Sequence, residues 1–364
     1  MTTPELRELF GDDLAPALRR LGERDRGAGA KAAPDPADAQ TRTAVWDTLA
    51  GAGALARHRQ TDLVEVAEMM GGALYQSPWA DTLLAAELLE RTATFTDGAL
   101  SAALRDGGCP VAVALREHGT CDPSEPGPVR VEGHTVTGTR RFVAFAPDSA
   151  LLALVGRDGD SDSDSDEIVL ALVAPDAPGV RVRRQDDLGR GDLYEVTFTA
   201  APVHGGVVHR VTDHYADALA RARIRWSAYL AGAARGGTEL AVGHLTSRRA
   251  FGRTLAQQQA LAYRLAALSA ETAAVRAFAE GCARAADTGA DVRQLAAQLL
   301  ALAGELAGRT AAESVHLHGA LGMTEGSDAQ LFYRRAAIDA QWLGGRTSLL
   351  REAGRLLASA RSSH

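Results

Sequence analysis

The chain has 364 residues, 46% of them hydrophobic, and a formal net charge of −7. That length suits two or three structural units with a sizeable core, and the acidic balance argues against a nucleic-acid partner, whose backbone needs basic surface. Three widely spaced cysteines, Cys109, Cys121 and Cys282, form no CxxC pair, which excludes a disulfide frame or a zinc site of ordinary spacing and points to a reducing compartment.

The chain starts MTTPELRELFGDDLAP, polar and acidic, with no apolar signal core. No apolar run anywhere approaches the roughly 20 residues of a membrane span. The expectation is a cytoplasmic protein with no membrane contact. Residues 1–107 are rich in Ala, Leu and Glu and read as a helical domain. Within it, WADTLLAAELLERTA places Leu83, Leu84 and Leu88 on one helical face. The polar stretch RDRGAGAKAAPDPADAQ interrupts this zone and reads as a flexible loop.

Residues 108–212 change texture. VRVEGHTVTGTRRFVAF alternates and is rich in Val and Thr, which predicts a hairpin turning near Glu132, Gly133 and His134. ALLALVGR, EIVLALVAP, GVRVRRQ and LYEVTFTAAPV are further short runs of the same kind, so a middle antiparallel β-domain is expected. The Asp/Ser loop GRDGDSDSDSDE joins two of them. It lacks the glycine and the terminal carboxylate of a calcium loop and reads as a solvated hairpin tip.

Residues 213–364 return to long helical patterns. Leu261, Leu265, Leu268, Val275 and Phe278 keep helical spacing, as do Leu295, Leu299, Leu302 and Leu306. A C-terminal four-helix bundle follows, and the fold class is α+β in the order helices, β-domain, bundle.

Two stretches interrupt the bundle. SRRAFGRTLAQQQ sets Arg248, Arg249 and Arg253 around Phe251 and Gly252, where a glycine permits a sharp break and arginines can meet phosphate. Taken alone, it also reads as basic residues at a helix junction with Phe251 as a core plug. HGALGMTEG puts three glycines between helical segments, which marks a turn or a close approach of backbone to something else. His316 and His318, two apart on a helix, point to different sides and do not suit one metal. GxGxxG, GxSxG, HExxH and Walker-type motifs are absent, so metal-dependent and nucleophilic classes find no support.

These pieces together resemble the acyl-CoA dehydrogenase family. The resemblance rests on GTRRFVAFAPDSALLALV, APGVRV, LAGAARGGTELAVGHLTSRRAFGRTLAQQQALAYRLA and HLHGALGMTEG with its following RRA, and it spans nearly the whole chain. It implies a helix–β–helix flavoprotein that works as an oligomer. FAD would lie between the β-domain and the bundle, with its adenosine end against a neighbouring subunit. By this resemblance Arg248 matches an arginine that meets the FAD pyrophosphate, Phe251 an aromatic near the adenine, and Gln259 a glutamine of the same region. His316 falls where a cofactor-side glutamine is frequent. Gly319 and Gly322 match a turn that approaches the adjacent subunit's FAD, and Phe142 matches a flavin-covering aromatic.

The resemblance breaks at the catalytic base. The family's glutamate positions correspond to Leu343, Gly344 and Gly345, or to Ala222 before Arg223, and none is acidic. Ala144 also replaces a Thr or Ser that donates a hydrogen bond to the flavin. The first expectation is therefore a non-catalytic subunit, contacting FAD adenosine, of a heteromeric acyl-CoA dehydrogenase with no catalytic residue of its own. Its partners would be a second family subunit and an acyl thioester of CoA or a carrier protein. Two alternatives stand beside it. One is a self-sufficient dehydrogenase with a relocated base such as Glu325, Asp328 or Asp339. The other is a non-redox scaffold or cyclase on the same fold.

Overall fold

The computed structural model describes residues 36–56, 59–117, 122–159, 167–185 and 193–362. Helices α1 (Pro36–Gly51), α2 (Gln60–Gly72), α3 (Trp79–Glu90) and α4 (Gly98–Asp106) come first. Residues 36–40 of the stretch read as a flexible loop are thus helical; the rest of that stretch lies outside the described residues, as do Cys121 and most of the Asp/Ser tip. The ends of α4 are written locally. The Asp97 side chain accepts the Ala99 and Leu100 N–H groups at 3.0 and 2.9 Å, and Gly107 closes the helix at φ +82°. The start of α2 is capped from far away, since the Asp287 carboxylate accepts from the N–H groups of Gln60 and Thr61 at 2.6 and 3.1 Å.

The strands are β1 (Val111–Ala114), β2 (Pro128–Glu132), β3 (Thr135–Ala144), β4 (Leu151–Asp158), β5 (Ile168–Val173), β6 (Val180–Gln185), β7 (Leu193–Pro202) and β8 (Val208–Arg210). They pair in the order β6-β7-β3-β2-β4-β5-β8, with β1 on β4. The expected hairpin is present, Glu132 facing Thr135 across Gly133. The sheet is antiparallel except that β1 and β2 both run parallel to β4. Those two pairings join strands separated by other elements, which alternation within a strand does not report.

Helices α5 (Thr212–Ser247), α6 (Gln259–Asp287), α7 (Arg293–His318), α8 (Asp328–Asp339) and α9 (Arg346–Ser362) complete the chain. One core runs through α1–α4, the β1/β4/β5 face and the bundle, and a second lies in the β-layer. Helices α2 and α5 cross at backbone contact distance. A Cβ on Gly71 would sit 1.8 Å from the Tyr229 carbonyl oxygen, and one on Gly232 would sit 2.1 Å from that of Glu68. Leu83, Leu84 and Leu88 are buried as expected. The α7 leucines divide: Leu299 and Leu306 are buried, whereas Leu302 is 50% exposed and Leu295 lies outside with it. The buried face of α7 is carried by small residues between them, Ala296, Ala303 and Ala307, which rotates the leucine row partly out of the core.

Candidate functional site

At one end of the bundle the chain leaves α5 at Arg248 and makes a two-residue hairpin. Here β9 (Arg249–Ala250) pairs with β10 (Arg253–Thr254), leaving Phe251 and Gly252 at the tip. Both tip residues have positive φ, 54° and 78°. Gly accepts that conformation, but a bulky aromatic does so at a cost. Phe251 is nevertheless 93% exposed, so no core contact repays the strain. The core-plug reading of Phe251 is thereby excluded.

The three arginines divide the work. Arg249 donates to the Gly252 carbonyl at 3.2 Å and Arg253 to Gln258 Oε1 at 2.6 Å, and both bonds stiffen the tip. The Arg248 guanidinium has no hydrogen-bond or ion-pair partner among the described residues. Gln259 opens α6, exposed, with its amide on the Tyr263 hydroxyl at 2.8 Å.

The Gly-rich turn lies at this same end. The His244 ring, in the last turn of α5, stacks on His318 at the end of α7 with centroids 4.4 Å apart. Leu245, Leu255, Leu261 and Leu317 pack around that junction. Burial and the neighbouring charges of His318 and Arg248 lower the His244 pKa. His318 is buried with Nδ1 on the Ser314 carbonyl oxygen at 2.7 Å, while His316 is exposed. The two histidines do face different ways. Gly319 turns at φ +62° with open space where a Cβ would stand. Gly322 is needed by its own chain, because a Cβ there would lie 2.5 Å from the Val315 carbonyl oxygen. Arg248, Phe251, Gln259, His316, Gly319 and Gly322 thus share one end of the bundle.

Phe142 belongs elsewhere. It sits on a bulge in β3, where pairing with β7 skips from Arg140 to Val143, at φ 57°. Its N–H donates to Gln185 Oε1 at 2.9 Å, and the Arg116 guanidinium lies 4.8 Å from the ring centroid. A strained non-glycine residue kept half outside a sheet suits a ligand-facing position.

Between α2/α3, the β-layer and α5/α8 lies a cavity of about 730 Å³, counting the part open to solvent. Its walls include Met70, Phe145, Leu193, Trp226, Tyr229 and Trp342. Trp226 stacks on Tyr229 and meets Trp342 edge-on, each at 4.4 Å. Its charged groups are nearly all compensated inside the chain. Arg225 forks onto Glu87 at 2.7 and 3.0 Å, and Arg335 is paired with Asp339. Asp81 is the exception. It is buried, accepts among the described residues only the Val113 N–H at 3.1 Å, and is pushed up to about 7 by desolvation. Sequence spacing did not reveal Asp81, Trp226, Tyr229 or Trp342; the one available signal was a lone Asp inside the apolar run after Trp79.

The expected base positions converge in space. Arg223 Nε donates to the Leu343 carbonyl oxygen at 3.1 Å, so the α5 position and the position after α8 meet. Ala222 and Leu343 are 3% and 1% exposed, which leaves that point apolar and closed. Glu352, on α9, is held by Arg223 at 2.8 Å. Among the alternative acids, Glu325 is exposed in the Gly-rich turn, Asp328 opens α8, and Asp339 lines the cavity but is clamped by Arg335.

Residues 214–355 match the model of the acyl-CoA dehydrogenase C-terminal domain. The acyl-CoA dehydrogenase IpdE2 of Mycobacterium tuberculosis (strain ATCC 25618 / H37Rv) is 36% identical over 121 residues, which are 33% of this chain and 36% of that protein. The match therefore spans about a third of the curated relative. The ChsE4-ChsE5 complex of M. tuberculosis superposes with a TM-score of 0.82 at 23% identity, covering 98% of both chains. A glutaryl-CoA dehydrogenase of Mycobacterium smegmatis, in complex with FADH2, superposes with a TM-score of 0.81 at 15% identity, covering 98% of this chain and 95% of that one. Residues 214–355 are thus an acyl-CoA dehydrogenase C-terminal domain, set in a chain that carries the acyl-CoA dehydrogenase fold.

Proposed function

We propose that this chain is the non-catalytic subunit of a heteromeric acyl-CoA dehydrogenase and contacts the adenosine end of FAD with its Phe251 hairpin. The observation that carries the reading is that hairpin: a strained, 93% exposed aromatic beside an arginine that has no partner among the described residues, at an end of the bundle. Phe251 offers a face for adenine stacking, and Arg248 offers a charge-assisted donor for a pyrophosphate. Gln259 and the open turn at Gly319 sit at the same end. These residues fit FAD presented from outside the chain.

The chemistry FAD would supply when bound is that of a hydride acceptor for the β-carbon of an acyl thioester. The matching α-proton needs a carboxylate within hydrogen-bond reach. At Ala222 and Leu343 this chain offers closed apolar surface instead, so a partner subunit with an intact glutamate supplies that step. The similarity to ChsE4-ChsE5, a complex of two differently named chains, supports an unlike pair.

One observation favours a second reading. Asp81 and Asp339 both line the cavity, and either carboxyl would serve a self-sufficient dehydrogenase if a substrate reached it. Against it, Asp339 is held by Arg335 and by the hydrogen bond that pairs it with Tyr229.

The test is FAD retention by the assembled enzyme with Arg248→Ala and Phe251→Ala. A charge-assisted contact is typically worth about 1.5–3 kcal/mol, so the arginine variant is expected to bind FAD roughly tenfold or more weakly. Unchanged affinity in both variants would mean that the hairpin does not meet the cofactor.

A further inference from the structure

The hairpin and the Gly-rich turn are rooted in two histidines that face each other. His244, in the last turn of α5, and His318, the last residue of α7, stack with ring centroids 4.4 Å apart and planes 29° from parallel. The His244 carbonyl oxygen accepts the Arg248 N–H at 2.9 Å. The Arg248 carbonyl oxygen in turn accepts the Leu255 N–H at 2.9 Å, which closes the base of the hairpin. On the other side the Gly-rich turn folds back on His318, because a Cβ on Gly322 would lie 2.9 Å from the His318 Cβ. Each of the two exposed segments at this end of the bundle therefore starts from one ring of the stack.

Stacked imidazoles attract or tolerate each other while neutral, and repel when both carry a proton. Here the surroundings give a charged stack little relief. His318 is 9% exposed and His244 is half-buried, so water screens them incompletely. The His318 ring is fixed by its Nδ1–H, which donates to the Ser314 carbonyl oxygen at 2.7 Å. Leu245 and Leu317 from the two helices, Leu255 from the turn after the hairpin, and Leu261 and Leu265 from α6 pack around the junction. The charged groups that act on His244 are His318 from α7 and Arg248 at the end of its own helix, and both oppose a proton on it, as burial does. The Arg264–Glu313 ion pair, which ties α6 to α7, does not act on it. Among the described residues no carboxylate compensates a proton on His244.

We propose that the His244–His318 stack is a proton-sensitive clasp, closed near neutral pH, whose protonation loosens the Phe251 hairpin and the Gly-rich turn together. The sign follows from the neutral ring being the one that folding favours. Folding lowers the His244 pKa, so the clasp is at full strength above the ordinary histidine value and weakens as pH falls through the lowered one. Mild acid then frees the end of the bundle while the rest of the fold keeps its structure. The proposal does not rest on FAD binding or on a partner subunit, and it holds or fails on the isolated full-length chain.

Amide hydrogen exchange of that chain tests it, read by mass spectrometry at about pH 7.5 and about pH 5 and corrected for the intrinsic pH dependence of exchange. Peptides covering residues 244–256 and 316–324 should lose protection roughly fivefold or more on acidification, the effect of two unit charges about 4 Å apart even in water. Residues 296–307, in the middle of α7, should keep theirs. His244→Phe retains a flat ring for His318 to stack on and cannot take a proton, so its protection should be the same at both pH values. Should that variant not fold, His244→Gln serves instead, with protection that is lower overall and equally indifferent to pH. Equal protection of the wild type at both pH values, a step that persists in the His244 variant, or simultaneous loss of protection in the middle of α7 would each overturn the proposal.

Discussion

Asp81 shows how one side chain sets a pH dependence. Desolvation raises its folded-state pKa from 3.8 to about 7, and only the Val113 hydrogen bond acts the other way. The folded protein therefore holds this proton to higher pH than the unfolded chain does. Stability is unpenalised below the unfolded pKa and falls as pH rises through the folded one. At about 1.4 kcal/mol per pKa unit, the loss is roughly 4 kcal/mol at most. Asp81→Asn keeps the acceptor for Val113 without the charge. It should be roughly 2–4 kcal/mol more stable than wild type near pH 8 and little changed near pH 4, measured as urea midpoints at both pH values. A variant equally displaced at both would show that the carboxyl does not titrate in this range. The sequence marked this residue only as a lone Asp after Trp79, a weak signal, because helical periodicity registers the leucines of α3 and treats one polar residue among them as noise. Arg248, Phe251 and Gly319 were legible as residues because arginines, glycines and an aromatic between helical runs contradict local preference. Why Phe251 stands where it does became visible only with its positive φ and its exposure.

Helices were readable from leucine spacing, but the ways they meet were not. The crossing of α2 and α5 depends on glycines 161 positions apart, Gly71 and Gly232, whose missing side chains let each backbone touch the other. That contact holds Tyr229 at the cavity wall. Gly232→Ala would place a methyl 2.1 Å from the Glu68 carbonyl oxygen, and overpacking of this kind typically costs about 1–3 kcal/mol. Gly281→Ala in α6, with nothing within 4 Å, should be neutral or stabilising by up to about 1 kcal/mol. Denaturation midpoints of the two variants check the contrast, and equal effects would mean that the helices can slide apart without loss. The parallel pairing of β1 and β2 with β4, the Asp287 cap on α2 and the outward turn of Leu302 share this character. Each is a long-range arrangement, and local pattern carries no information about it.

For the molecule as a whole, the changes of sequence texture gave the order of the layers, and the exposed surface indicates what the chain lacks when alone. Phe251, Leu321 and Met323, at the hairpin and the Gly-rich turn, are 93%, 52% and 73% exposed, apolar groups at the end of the bundle where a neighbouring subunit would cover them. An assembly larger than a monomer is therefore expected, and light scattering that found only monomer with FAD bound would count against a shared cofactor. The closed apolar point at Ala222 and Leu343 leads to the sharpest test, dye-coupled oxidation of short, branched and polycyclic acyl-CoA thioesters after reconstitution with FAD. A positioned base typically contributes about a hundred- to ten-thousandfold. The chain alone should turn over none of these at a useful rate, and adding a family subunit with an intact glutamate should restore turnover that falls in Arg248→Ala. Ordinary turnover by the chain alone, abolished in Asp339→Asn or Asp81→Asn, would contradict the non-catalytic reading and make one of those carboxyls the base.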